Sequence, residues 1–381
     1  MKLIKIVTPV VLLGLTQFTF ADGNFKRFSV SAGWMHVMPQ GKANPFNIRT
    51  AVSPVTTIPV GTISLGSLLG SIDGDAQVPG LPEGMTGKDI LFPVFEEMLD
   101  QPDDWYALGF LDEDGNLVAT ESGDAEIRGL DQWTNQGTGL EADDVDTLGL
   151  TFNYYINDNV SLQMIGGIPP KVDIKGVGII NAPLSGTAIL PPTSILQIAG
   201  ISEFELAQAI EITNLGARKK ASTARAWTPA LEVQYQFGKS GVNKFRPYVG
   251  AGIMYAYFNE IKLDKGIEAD LQVAGHMIQN MLDGKGGAAL DRKVSTDANG
   301  DAYRMKVDVD TDTAIAPIVT AGFTYDITPS WYGVASVSYA KLNNQATIKV
   351  LNETTGQQMI HSSTKVDIDP LITYLGVGYR F

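Results

Sequence analysis

The clearest pattern along the chain is a strict alternation of apolar residues with small or polar ones. Residues 374–381 show it well, because one face is large and apolar and the other is small or charged: Leu375, Val377, Tyr379 and Phe381 against Gly376, Gly378 and Arg380. Large apolar groups toward lipid and small or polar groups toward a lumen are typical of strands in a membrane β-barrel. The alternation therefore predicts a transmembrane barrel.

Eight segments share this alternation, and each is long enough for a tilted membrane strand. They are residues 27–38, 145–156, 160–174, 225–237, 245–258, 313–327, 330–350 and 365–381. The connections between them alternate in length: short at 157–159, 238–244 and 328–329, and long at 39–144, 175–224, 259–312 and 351–364. Outer-membrane barrels have short periplasmic turns and long outer loops. We therefore expect an all-β fold, an eight-stranded antiparallel transmembrane β-barrel with long extracellular loops and periplasmic N- and C-termini.

The long loops also carry helical periodicity. Residues 89–99, 202–212 and 267–282 have helix-compatible spacing of apolar positions, which predicts short helices over the barrel mouth. Residues 1–21 are interpreted as a signal peptide, with Lys2 and Lys5 before an apolar run and a small-x-small site at 19–21. Residues 22–381 are then one barrel domain, with 39–144 as a large extracellular insertion.

Charge and composition limit the chemistry. The formal net charge is −14 at pH 7, which makes nucleic acid an improbable partner, and cysteine is absent. The histidines are His36, His276 and His361, and no Gly-x-Ser-x-Gly motif occurs. Hydrolysis needs a nucleophile, a base and an orienting group within reach. We therefore expect no catalytic residues, no metal site and no cofactor.

Strand parity also predicts the contents of the lumen. Near the periplasmic end the alternation places five charged side chains on the lumen face. We expect them to pair with one another and form a polar plug: Arg27, Glu232, Arg246, Asp326 and Arg380. In the outer half the inward set is an apolar lumen: Met35, Val37, Ile165, Met254, Phe258, Ile318, Leu342 and Ile372. Parity alone leaves two interpretations open, namely a passage for apolar molecules and the packing of a non-conducting barrel.

Three stretches resemble the OmpW family, which includes the alkane-uptake protein AlkL. They read Asp-Thr-Leu-Gly-Leu-Thr-Phe-Asn-Tyr-Tyr at 146–155, Phe-Arg-Pro-Tyr-Val-Gly-Ala-Gly-Ile at 245–253, and Gly-Val-Gly-Tyr-Arg-Phe at 376–381. The resemblance covers somewhat under half of the chain, and the long loops depart from it. It implies a Gram-negative outer membrane, and passage of small hydrophobic molecules with lateral release into the bilayer.

Two further features belong to this expectation. Pro169 and Pro170 interrupt the third predicted strand, where the family also has proline; because proline has no N–H, we expect a lateral opening there. The terminal Phe381 resembles the signal read by the barrel-assembly machinery. The expected function is thus a porin-like transport channel whose partners are outer-membrane lipid and small hydrophobic solutes. The alternative is an adhesin or receptor whose long loops bind a partner.

Overall fold

The computed structural model describes residues 26–381, so the predicted signal peptide lies outside the described residues. In chain order the first elements are β1 (Phe28–Met38), β2 (Phe46–Thr50), β3 (Val55–Pro59), β4 (Ile63–Ser64), α1 (Leu65–Ser71), α2 (Gly87–Asp100), α3 (Pro102–Ala107), β5 (Asn116–Leu117), α4 (Ala119–Ser122), β6 (Asp124–Arg128), β7 (Gln132–Asn135), β8 (Gly139–Ala142) and β9 (Val145–Tyr155).

The middle and last parts of the chain follow in the same way. They contain β10 (Val160–Gly167), β11 (Lys171–Val177), β12 (Ile179–Ile189), α5 (Ile195–Ile198), β13 (Glu203–Asn214), β14 (Ser222–Trp227), β15 (Ala230–Gln236), β16 (Phe245–Leu263), α6 (Lys265–Leu282), α7 (Gly286–Leu290), β17 (Met305–Thr311), β18 (Ala314–Asp326), β19 (Trp331–Ala340), β20 (Asn343–Asn352), β21 (Gln358–Asp367) and β22 (Leu371–Arg380).

Eight of these strands close into an antiparallel barrel. The order around it is β1, β22, β19, β18, β16, β15, β10 and β9, and β9 pairs with β1 again. This confirms the predicted fold class. Four of the predicted strands are divided in two, however, and their upper parts become β11, β14, β20 and β21. Three of those upper parts pair with strands from the loops, namely β11 with β8, β20 with β17 and β21 with β2, whereas β14 pairs with β11 and β16.

The outer face of the barrel is a continuous apolar belt. Its exposed members include Val30, Leu148, Leu150, Phe152, Leu162, Met164, Leu231, Val233, Val249, Val319, Val337, Leu375 and Val377. Aromatic residues lie near the strand ends, for example Tyr325, Trp331 and Tyr379 at the turn end. A band of apolar residues between aromatic girdles is the lipid-facing surface of a membrane barrel. Among the described residues, no helix is both long and apolar enough to cross a membrane.

The long connections fold together into a second region, which we call the head: residues 39–144, 175–221, 262–313 and 341–369. It contains a four-stranded sheet in the order β13-β12-β6-β3 and a five-stranded sheet in the order β17-β20-β21-β2-β7. Helix α6 contacts β13 of the first sheet and β17, β20 and β21 of the second. Its buried face includes Ile267, Leu271, Ala274 and Ile278, so the predicted apolar stripe is part of the head's core.

One sequence-based expectation about the loops is wrong. The helix expected at 202–212 is strand β13, because Phe204 and Leu206 are buried and alternate with the exposed Glu203 and Glu205, a period of two. The helices expected at 89–99 and 267–282 are present as α2 and α6.

Residues 45–140 do not form a self-contained cap over the barrel. Strand β2 of this segment pairs with β21, and β6 pairs with β12, so its hydrogen bonds run to the other long connections. A separate cap would need its own complete sheets. The four long connections instead make one joint structure.

Candidate functional site

A cavity of about 360 Å³ occupies the upper barrel and reaches into the base of the head. The structure places every member of the predicted apolar lumen around it: Met35, Val37, Ile165, Met254, Phe258, Ile318, Leu342 and Ile372. Pro169 and Pro170 line it as well. These residues come from barrel strands far apart in sequence, and inward parity brings them together. An apolar space of this kind favours apolar molecules, because water inside it finds few hydrogen-bond partners.

The roof of the cavity was missed by sequence reasoning. Phe46 of β2, Leu215 after β13, Ile267 of α6 and Ile348 of β20 line it from above. These residues belong to four different segments of the head, and their meeting depends on pairing between loops. The apolar stripe of α6, which includes Ile267, was the one available signal.

The floor of the cavity is a layer of polar side chains that bond to one another. The hydroxyl of Ser31 lies 2.6 Å from that of Thr151 and 2.8 Å from that of Tyr374. Across the lumen, Thr320 donates to Glu232 at 2.6 Å and lies 2.7 Å from Ser338. The amide of Gln234 donates to Gln163. We call these residues the polar layer. Because its groups are mutually satisfied and buried, they fill the lumen below the apolar space.

The five residues of the predicted polar plug do not form one cluster. Arg380 pairs with Asp326 at 2.6 Å, and its guanidinium lies over the Tyr332 ring at 4.4 Å. Arg246 is 2 % exposed and donates to the backbone carbonyls of Asp158, Phe237 and Gly238. Through these hydrogen bonds, Arg246 links the turn between β9 and β10 to the turn between β15 and β16.

The other two members of the predicted plug lie elsewhere. Arg27 is exposed just before β1. Glu232 is opposite Gly252, six residues above Arg246 along β16, which is about 20 Å at the rise of a strand. It belongs to the polar layer. The alternation along a strand predicts correctly whether a side chain faces the lumen, but it does not give the distance of that residue from the periplasmic end of the barrel. Because neighbouring strands are staggered, residues at similar distances from their strand ends can lie at different levels along the barrel axis.

One side of the barrel wall has a break in its backbone ladder. Strand β10 pairs with β9 up to Gly167 opposite Gly149, and the N–H of Ile168 then donates to the carbonyl of Leu148 at 3.0 Å. The next backbone hydrogen bond between these walls joins Asp143 N–H to Asp173 O at 2.9 Å. In the described part of the chain, none joins residues 144–147 to residues 169–172. We call this gap the window.

The window is bordered by Pro169 and Pro170 on one side and by Val145 and Thr147 on the other, and all four also line the cavity. Proline supplies no N–H to a ladder, which accounts for the break. On their other side the prolines are held firmly, since Ala226 N–H donates to Pro170 O at 3.0 Å. The break is therefore confined to the β9 side.

The upper end of β9 is secured to β1 instead. Asp146 accepts from Trp34 Nε1 at 2.8 Å and lies 2.9 Å from Nδ1 of His36. Trp34 is half exposed on the lipid-facing side, opposite Leu148 in the register. The window thus begins directly above the apolar belt, at the level where aromatic residues mark the membrane boundary.

The three histidines lie in separate elements, namely β1, α6 and β21. His36 contacts Asp146 on the outer face, and His276 lies 2.9 Å from the Ser295 hydroxyl in the head. Burial lowers the pKa of His276. Within residues 26–381, no group of three or more His, Asp or Glu side chains could hold a metal ion.

The closed eight-stranded barrel with an apolar outer belt defines the chain as an outer-membrane β-barrel protein. The OmpW family model matches residues 291–381. Outer membrane protein W of Vibrio cholerae is 24 % identical over 252 residues, which cover 66 % of this chain and 81 % of that protein. Outer membrane protein W of Escherichia coli is 24 % identical over 236 residues, 61 % of this chain and 72 % of that protein. These matches confirm the resemblance to the OmpW family.

Solved structures are similar as well. The outer membrane protein OprG of Pseudomonas aeruginosa matches with a TM-score of 0.45 and 12 % identity, covering 94 % of this chain and 97 % of that one. The outer membrane protein AlkL matches with a TM-score of 0.35 and 15 % identity, covering 96 % of this chain and 95 % of that one.

Proposed function

We propose that the protein is a Gram-negative outer-membrane channel that admits small hydrophobic molecules and releases them sideways through the window into the bilayer. The observation that carries this proposal is the make-up of the cavity wall. The lumen is apolar in its upper part and filled by the polar layer below, and the wall is interrupted at 144–147 and 169–172, directly above the apolar belt.

The direction of release follows from solvation. An apolar molecule in the cavity gains nothing by crossing the polar layer, because doing so would break hydrogen bonds that no solute group replaces. Moving through the window keeps the molecule out of water throughout, and each buried CH₂ group favours that route by about 0.8 kcal/mol. The bilayer is therefore the favoured destination.

The proposed topology places the N- and C-termini in the periplasm and the head outside the cell. The short connections 157–159, 238–244 and 328–329 lie at the end where the described chain starts and finishes. Short turns on the periplasmic side are the usual arrangement in such barrels. Phe381, at the end of the closing strand, is proposed as the signal for the barrel-assembly machinery.

The test is the double substitution Pro169→Val and Pro170→Val. Restored N–H groups would let the ladder close between β9 and β11, so uptake of a labelled alkane by cells should fall several-fold. Barrel stability should stay equal or rise, because new backbone hydrogen bonds form in lipid. Uptake is compared with that of cells lacking the protein.

The matched control is Pro317→Ala. Pro317 also lies in a barrel strand, β18, but away from the window, so uptake should stay at the wild-type level. Wild-type uptake by the double variant, with the protein present in the outer membrane, would contradict lateral release.

The second candidate is an adhesin or receptor, and the folded head is the observation that favours it. The head has its own extensive core, including Phe95, Leu91 and Met359 at 2 % exposure or less. A rigid surface of this kind can bind a macromolecule. Uptake that is identical in cells with and without the protein would favour this candidate over the channel.

A further inference from the structure

We propose that the cavity wall opposite the window carries a polar subsite, formed by Asn344 and Thr311, that selects apolar molecules bearing one neutral hydroxyl group. This inference rests on the proposed function and names its substrate class. Long-chain alcohols and phenols have the required chemistry, whereas plain hydrocarbons do not.

Asn344 is the first of the two groups. It lines the cavity, is 7 % exposed, and its Nδ2 donates to the backbone carbonyl of Asp312 at 2.7 Å. That bond fixes the orientation of the amide, so the other atom is the carbonyl oxygen Oδ1. Oδ1 is buried and has no hydrogen-bond partner. A buried acceptor without a partner destabilises the folded protein, and a donor on a ligand would supply the missing hydrogen bond.

Thr311 is the second group. It also lines the cavity, and its hydroxyl Oγ1 is buried without a hydrogen-bond partner. In the β17–β20 register Thr311 is opposite Ala346, and Asn344 lies two residues from Ala346 on the same strand face. Diagonal neighbours of this kind are about 7–8 Å apart between Cα atoms. One ligand hydroxyl is therefore within reach of both side chains.

The contrast with the polar layer locates the subsite. At the floor, Gln163 is bonded by Gln234, Ser338 lies against Thr320, and Thr151 contacts Ser31. Those groups already have partners within the protein. Asn344 and Thr311 are the cavity-lining residues, among those described, that carry an unpartnered buried polar atom.

The chemistry of the two atoms defines the ligand. The carbonyl oxygen of Asn344 needs a donor, and the hydroxyl of Thr311 can donate or accept. A ligand hydroxyl can donate to the first and accept from the second. A ketone or an ionised carboxylate offers no donor and would leave Asn344 unsatisfied.

The position of the subsite also suits the window. Strand β20 continues from β19, which lies three strands from β9 and four from β10 around the barrel. A molecule held by its hydroxyl at this wall would direct its apolar tail across the cavity toward the window.

The test compares decanol with decane, two probes of similar shape that differ by the hydroxyl. The full-length protein is placed in phospholipid nanodiscs, and binding of each radiolabelled probe is measured by equilibrium dialysis against empty nanodiscs. In Thr311→Val the hydroxyl is replaced by a methyl group of the same size. We expect decanol to bind about three- to tenfold more weakly, the equivalent of one neutral hydrogen bond, with decane unchanged.

The matched control is Thr347→Val, the same substitution on the opposite face of β20. It should leave the affinity for both probes unchanged. Unaltered decanol binding by Thr311→Val, or an equal loss for both probes, would overturn the subsite while leaving the channel intact. Binding of neither probe by the wild-type protein would overturn the proposed function together with the subsite.

Discussion

The lower part of the barrel and the head bury different kinds of residue. In the lower part of the barrel the side chains toward lipid are apolar, as Val233 and Leu375 are, and polar groups such as Thr320 and Glu232 lie in the interior. In the head the order is reversed, and an extensive apolar core is enclosed between two sheets and α6. The difference shows that the surrounding solvent, lipid or water, decides which face of an alternating strand is buried.

The cavity lies where these two arrangements meet. Its roof consists of apolar side chains from the core of the head, and its floor is the polar layer inside the barrel. Neither region alone would provide an apolar space that lies between a roof of apolar side chains and a floor of polar ones. The comparison therefore explains why the candidate site is at this junction.

The largest expected effect tests whether the two regions are separable. Phe95 of α2 is 2 % exposed in the head core, and Phe95→Ala should destabilise the head by about 3–5 kcal/mol. Limited proteolysis should then cut the head readily. The barrel should still show heat-dependent migration on gels, since its eight strands pair with one another and not with the head. Loss of that migration would mean that the head is required for barrel assembly.

A smaller effect should distinguish the lipid-facing surface of the barrel from the water-facing surface of the head. Val233 in β15 and Val55 in β3 are both 57 % exposed, one on the barrel belt and one on the head. Val233→Arg should cost about 2–4 kcal/mol, because a charge near the bilayer centre loses its hydration. Val55→Arg should change stability by less than about 0.5 kcal/mol, as surface substitutions in water usually do. Urea unfolding in vesicles measures both, and similar costs would contradict the assignment of Val233 to lipid.

The same comparison explains what the sequence could predict. The barrel strands and the apolar lumen follow from period-two alternation, a local property, so Met35 and Ile372 were found from parity alone. Glu232 was assigned to the wrong height because stagger depends on the neighbouring strands. The head was missed because its sheets join segments far apart in sequence, such as β2 with β21.

Loop periodicity was informative only where the packing agreed with it. Helix α6 has an apolar stripe along its length, and strands from both sheets of the head pack against the helix. At 202–212 the same kind of spacing was ambiguous, and pairing of β13 with β12 decided in favour of a strand. Tertiary contacts override local preference in such short segments.

The smallest effect concerns a buried carboxylate in the head, the side chain of Asp291. Asp291 has a 6 % exposed side chain; it accepts from the Ser64 hydroxyl at 2.6 Å and lies 3.1 Å from Lys293 Nζ. Burial acts to raise the pKa of Asp291, but the hydrogen bonds from Ser64 and Ser67 and that from Lys293 outweigh it, and the pKa is lowered. Because the pKa is lowered, ionised Asp291 stabilises the folded head at pH values above the pKa of the unfolded chain, near 4. This stabilisation is lost as the pH falls through the pKa of the folded state.

Asp291→Asn should therefore destabilise the head by about 1–2 kcal/mol at pH 7. The difference from wild type should shrink as the pH falls below about 4. Thermal unfolding of the head in both proteins across this range provides the measurement, and a difference that stays constant with pH would show that the carboxylate charge contributes nothing.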